Sequence, residues 1–114
     1  MEAILRNHGE ISIISIQGSL DIHHTQPLRD VCIKHFLAKK VIFNMNNASF
    51  VGSTGIQPFL ETVQALAAGN VFGIKLVGVK PEFRRILQNL ELANLEIFES
   101  ENLAISSFAP PQIP

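Results

Sequence analysis

The sequence predicts a single α/β domain, a mixed sheet of four to five strands with about four helices lying mainly on one face. Three observations point there. First, short β-branched runs alternate with helical apolar stripes in the order β-β-α-β-α-β-α-β-α, and strands joined through helices pair in parallel. Second, the runs Ala3-Ile4-Leu5 and Ile11 to Gln17 flank the turn signal Asn7-His8-Gly9-Glu10, so the chain opens with an antiparallel hairpin whose first strand is short. Third, Val41, Phe43 and Met45 share one strand face while Asn44 and Asn46 share the other with Ile42. One strongly apolar and one mixed face suit a sheet with most of its helices on one side, and right-handed crossovers place them there.

Each element has its own warrant. In Ile11 to Gln17, Ile13 and Ile14 point to opposite faces, so this strand is expected to carry apolar cover on both. From about Thr25 the period changes to helical, with Leu28, Val31, Cys32, His35 and Phe36 on one face, Thr25 as N-cap and Pro27 in the first turn. The strand Val41 to Met45 follows, then a polar connector, Asn44 to Ser49, and then Phe50-Val51. Ile56, Phe59, Leu60, Val63, Leu66 and Ala67 form the clearest helical stripe, stopped by Ala68-Gly69-Asn70. Val71 to Val79 reads as a strand with Phe72, Ile74 and Leu76 on one face and Lys75 on the other. Lys80-Pro81-Glu82 opens a third helix striped by Phe83, Ile86, Leu87 and Leu90, and Glu91 to Asn94 breaks it. Leu95 to Phe98 is a last strand, and Ser100 caps a short helix to about Phe108. Residues 1–108 are expected to form the domain, and the proline-rich tail 109–114 to fray.

Composition narrows the function. Nine basic and ten acidic residues leave a net charge near −1, with no basic stripe for nucleic acid and no basic amphipathic helix for a membrane surface. No apolar stretch nears the ~20 residues of a spanning helix, and the first residues lack the form of a secretion signal. Cys32 is the only cysteine, so a reducing, cytoplasmic setting is expected. His8, His23, His24 and His35 lack metal-ligand spacing, and no cofactor is implied. No phosphate loop is present, the carboxylates Asp21, Asp30, Glu61 and Glu82 are scattered, and Ser53 lies in Gly-Ser-Thr-Gly rather than a nucleophile elbow. The residues therefore point to a binding protein rather than an enzyme.

Val41 to Leu60 organises the chain: a strand turns through Gly52-Ser53-Thr54-Gly55 into a helix. Two roles are open for the hydroxyls. Thr54 and Gln57 match a capping box, a contribution of about 1 kcal/mol, although Pro58 disturbs the first turn. Alternatively Thr54, and after it Ser53, is a modifiable hydroxyl that flanking glycines leave open to a partner's active site. From the residues alone capping is the favoured role.

The chain resembles the STAS domain of bacterial anti-sigma factor antagonists over nearly all its length. The matching pieces are Gly18 and Asp21 after the second strand; Val41-Ile42-Phe43-Asn44-Met45; Phe50-Val51-Gly52-Ser53-Thr54-Gly55-Ile56; and Leu76-Val77-Gly78-Val79-Lys80-Pro81. The resemblance implies a STAS-like mixed sheet and a non-enzymatic role in regulating transcription. The partner it implies is an anti-sigma factor serine kinase, which phosphorylates the position held by Thr54 and is released by that modification. It implies a partner-binding set of Asp21, Asn44, Gly52, Ser53, Thr54 and Gly55. This chain departs from the family pattern in having Asn44 and Gly52 where the family has acids, Thr54 where it has serine, and Pro58 where it has a small residue. Those departures keep a second reading open: an unphosphorylated STAS scaffold, partnered by the ATPase of a phospholipid-transport ABC complex or built into a stressosome-like assembly. A third reading, nucleotide phosphate bound by the connector, finds no basic residue there.

Overall fold

The computed structural model describes residues 2–20, 22–36, 39–50, 52–89 and 94–108, with the side chains at 22, 24, 50, 52–56 and 82 left aside. The expected hairpin forms, from β1 (Glu2–His8) and β2 (Ile11–Leu20), antiparallel with His8 opposite Ile11, but β1 is not short: it runs seven residues and takes in Asn7 and His8, which the sequence placed in the turn. Gly9 takes the first position of the two-residue loop at φ +62°, the left-handed region that the tight hairpin turns require. From β2 onward all pairing is parallel. The chain runs through α1 (Ile22–His35), β3 (Lys40–Phe50), α2 (Gly52–Gly69), β4 (Ile74–Val77), α3 (Pro81–Asn89), β5 (Leu95–Phe98) and α4 (Glu101–Ser107). The strands lie in sequence order, β1-β2-β3-β4-β5.

Two cores lie on the two faces of this sheet. On one, Ile14, Ile16, Val41, Phe43, Ile74 and Leu76 pack beneath Leu28, Cys32 and Phe36 from α1 and its end, Phe59, Val63 and Leu66 of α2, and Leu87 of α3. Phe43 and Phe59 meet edge to face at 6.0 Å. On the other, Ile11, Ile13, Ile42 and Val77 pack against Ala104, Ile105 and Phe108 at α4. Ile13 and Ile14 do serve opposite faces, and three of the four helices share one side. Ser100 caps α4 as expected, accepting from the Leu103 N–H at 3.3 Å.

The structure corrects several further readings. Helix α1 starts at Ile22, so Thr25 is a buried interior residue rather than the cap. The buried stripe is Thr25, Leu28, Cys32 and Phe36, while Val31 and His35 turn outward. Strand β4 is confined to Ile74–Val77. Val71 and Phe72, apolar enough to suggest a strand, form an exposed turn held by Asn70. The Asn70 carboxamide donates to the Lys39 carbonyl at 2.6 Å and accepts from the Phe72 N–H at 2.9 Å. Gly73, at φ +75°, then lets the backbone pass within reach of the Asn94 carbonyl, where a Cβ would sit at 2.6 Å. Strand β3 does not stop at Met45. It continues through the polar stretch to Phe50, because residues 47–50 pair with β2 from Gln17 to Leu20 beyond a one-residue shift in register. Leu90 of the expected α3 stripe, residues 91–93 of the expected break Glu91 to Asn94, and the tail 109–114 lie outside the described residues.

Cys32 is fully buried, and burial pushes its thiol up to about 12. Below pH 9 the thiol is protonated in folded and unfolded chains alike, so it makes no pH-dependent contribution. Between pH 9 and 12 only the unfolded chain ionises, so stability is lost as pH rises through that window. A thiol reagent at pH 8 is expected to leave the native protein unlabelled and to label one cysteine after denaturation; rapid native labelling would show that the α1 face opens.

Candidate functional site

Parallel pairing of β2 with β3 brings two helix starts together. The last rung of that pair is Leu20 with Phe50, α1 begins at Ile22 and α2 at Gly52, so both first turns emerge at the carboxyl ends of adjacent strands. Ligands of open α/β sheets bind outside the carboxyl ends of the strands, at a point where the strand order reverses; this sheet, with strands in sequence order, has the strand ends but no reversal. One rung earlier the hydroxyls of Ser19 and Ser49 lie 3.3 Å apart, either able to donate. Neither serine stood out in the sequence. Their signal was the polar run before Phe50, which reads as a connector until its pairing partner is known.

Ser53, Thr54 and Gly55 lie within the first turn of α2. The helix starts at Gly52, two residues before the expected cap, so Thr54 is its third residue and the capping-box reading is corrected. N–H groups in a first turn have no intrahelical acceptor, and the helix dipole makes this end electropositive. Pro58, inside the helix, has no N–H for the Thr54 carbonyl four residues back. Pro27 does the same to the His23 carbonyl in α1. Each of the two adjacent helices therefore lacks one hydrogen bond near its start. Further along, Thr62 Oγ donates to the Pro58 carbonyl at 2.9 Å and satisfies that buried acceptor. His23, Gln26, Pro27 and Asp30 line an open groove on the first turns of α1.

Asp21 lies outside the described residues, between β2 and α1. Asn44 does not join this corner. It pairs with Ser15 and Val77 in mid-sheet, six residues before Phe50. At ~3.3 Å per residue that places it roughly 20 Å from the Phe50 end of β3, with α2 beginning two residues further on. Its Oδ1 accepts from the Asn46 N–H at 3.0 Å, and its Nδ2 donates to Glu101 Oε2 of α4. The same Glu101 oxygen takes the Arg6 guanidinium at 2.6 Å. Glu101 explains the neutral side chain at 44: a carboxylate there would lose the N–H that Glu101 accepts and would set like charges side by side. Asn44→Asp is therefore expected to cost about 1–3 kcal/mol in a denaturant titration, and Glu101→Gln in the same chain to recover most of it. Additive losses in the double variant would refute the contact.

Other sites carry less chemistry. A cavity of about 20 Å³ between α2, α3 and the sheet is lined by Met45, Ala48, Phe59, Leu60 and Leu87. It has room for about one water and is almost wholly apolar, which suits neither a nucleotide nor a bound water. Among the described residues no three His, Cys, Asp or Glu side chains come together as metal ligands, and no helix is long and apolar enough to cross a membrane.

Comparison with known proteins matches residues 2–104 to the STAS domain model. The chain belongs to the STAS-domain family. Its fold is shared with solved anti-sigma factor antagonists. SpoIIAA in its unphosphorylated form matches at a TM-score of 0.66 and 23% identity, covering 93% of this chain and 96% of that one. The SpoIIAA cell fate determinant of Bacillus in its phosphorylated form also gives 0.66 and 23%, over 95% and 100% of the two chains. An anti-sigma factor antagonist from Mycobacterium paratuberculosis matches at 0.65 and 19% identity, over 94% and 92%. The search of curated protein sequences finds no match.

Proposed function

We propose that this STAS domain is an anti-sigma factor antagonist that binds an anti-sigma factor serine kinase through the start of α2 and is switched by phosphorylation of Thr54. The observation that carries the reading is the placement of Ser53, Thr54 and Gly55 in the first turn of α2, at the strand ends where α1 also begins. The role is binding and takes place in the cytoplasm. In the transfer step the Thr54 hydroxyl oxygen forms the new P–O bond, its proton leaves, the bond to the β-phosphate oxygen breaks and ADP departs. The product carries about −1.5 to −2 charges. At a helix N-terminus those charges meet unpaired N–H groups and the positive dipole end, so the fold survives the modification. The partner does not fare as well: a surface fitted to small neutral hydroxyls meets a bulky dianion, and binding ends.

The same geometry gives the alternative its one support. Gly52 brings no carboxylate to the corner. A STAS scaffold that binds its partner ATPase without phosphorylation has no need of one.

Incubation with the candidate kinase and ATP, followed by intact mass and fragmentation, separates the two. The switch gives a single phosphate on Thr54 that Thr54→Ala abolishes. Tight partner binding with no mass gain would leave the scaffold and overturn the switch.

A further inference from the structure

The outer edge of the sheet has a geometry that fits a second copy of the same chain. Strand β1 is seven residues long and exposed throughout. Its pairing with β2 runs without a register shift and it contains no proline, so it lacks two of the usual guards of an edge strand. The two-residue loop makes His8 and Ile11 a hydrogen-bonded pair, and the pattern alternates from there. Arg6, Ile4 and Glu2 thus turn their backbone groups toward β2. Ala3, Leu5 and Asn7 turn theirs outward. Among the described residues nothing pairs with that outer edge. Helix α4 starts beside β1, where Glu101 holds Arg6, and ends over β4, where the Phe108 ring stands 4.7 Å from Lys75 Nζ. The described end of α4 thus lies on the side away from β1.

Antiparallel pairing of two β1 strands needs outward groups against outward groups, which permits three main registers. Centred on Arg6, it sets two guanidiniums face to face. Centred on Ile4, it uses only five of the seven residues. Centred on Leu5, it uses all seven: Leu5 meets Leu5, Ala3 pairs with Asn7, and Glu2 faces His8 at each end. Leu5 is half exposed, so its burial is a gain the monomer does not already have. We propose that the protein forms a two-fold dimer through β1 in the Leu5-centred register, joining two five-stranded sheets into one. Because β2 runs against β1, the carboxyl ends of β2 and β3 in the two copies point in opposite directions. Both α2 starts stay clear of the interface, and the dimer presents two partner sites. The proposal is independent of what those sites bind.

Sedimentation of the full chain across micromolar to millimolar concentration tests it, with circular dichroism as a check on folding. The wild type is expected to shift from monomer to dimer. Leu5→Pro removes an N–H that points outward, so it is expected to leave the fold intact and hold the protein monomeric. Leu5→Lys keeps the N–H but sets like charges across the two-fold axis, and is expected to weaken dimerisation about tenfold or more even if the proline variant fails to fold. Glu2→Lys is expected to weaken the dimer, and adding His8→Glu to restore it. A wild type that stays monomeric throughout, or a dimer untouched by both Leu5 substitutions, overturns the proposal. Loss with Glu2→Lys that His8→Glu does not restore overturns the register.

Discussion

Phe43→Ala is expected to destabilise the domain by about 3–5 kcal/mol, the range for truncating a fully buried aromatic. Phe43 has no exposed surface, sits on the central strand β3 and packs edge to face on Phe59 of α2. Its loss opens a cavity under the very helix whose start is the candidate site. For a domain of this size that energy corresponds to a fall in melting temperature of roughly 15 °C or more. With total stabilities of about 5–15 kcal/mol, a substantial unfolded population follows. A thermal melt followed by circular dichroism reads it directly. A fall of less than a few degrees would mean that α2 is not seated on β3 as described.

Thr54→Glu is expected to do the opposite: leave stability unchanged and weaken binding of the proposed partner, an anti-sigma factor kinase, by about 30-fold or more. A negative side chain in the first turn of a helix is neutral to favourable for the helix, by about 0.3–1 kcal/mol. At the centre of a fitted interface, a charge without a partner costs about 2 kcal/mol or more. Thr54→Ala, which removes the hydroxyl without adding charge, is expected to bind within a few-fold of the wild type. Isothermal titration of each variant against the kinase gives the comparison, and the melting temperature shows that the fold is unchanged. Equal losses for alanine and glutamate would point to a lost contact rather than a charge effect.

Much of the fold is legible in the sequence because burial imposes a period. The α2 stripe from Phe59 to Ala67 and the alternation in Val41 to Met45 come from one-sided cores, and both are found as expected. Misreadings fall where another force overrides hydrophobicity. Val71 and Phe72 are apolar yet exposed, because the Asn70 carboxamide, which donates to the Phe36 and Lys39 carbonyls and accepts from the Phe72 N–H, sets a turn there. Asn44 to Ser49 are polar yet remain in β3, because β2 supplies their backbone partners. Sequence cannot show a partner sixty or so residues away, and that is also why Asn44 looked like a missing acid. Its explanation is Glu101, on a different element against the same face. The site shows the same division. The Ser53-Thr54 turn is visible as a motif; the hydroxyl pair of Ser19 and Ser49 becomes visible only once β2 and β3 are placed side by side.

The most direct test of the candidate corner is an amide footprint. Isotopically labelled protein is titrated with the candidate anti-sigma factor kinase, and backbone shifts and line broadening are mapped. Perturbations are expected to cluster at Ser19 and Leu20, at Ser49 and Phe50, and along the first turns of α1 and α2, and to leave β5 and the Val71-Phe72 turn unchanged. A footprint centred on β5 or on that turn, with the start of α2 silent, would contradict the assignment of this corner as the partner-binding site.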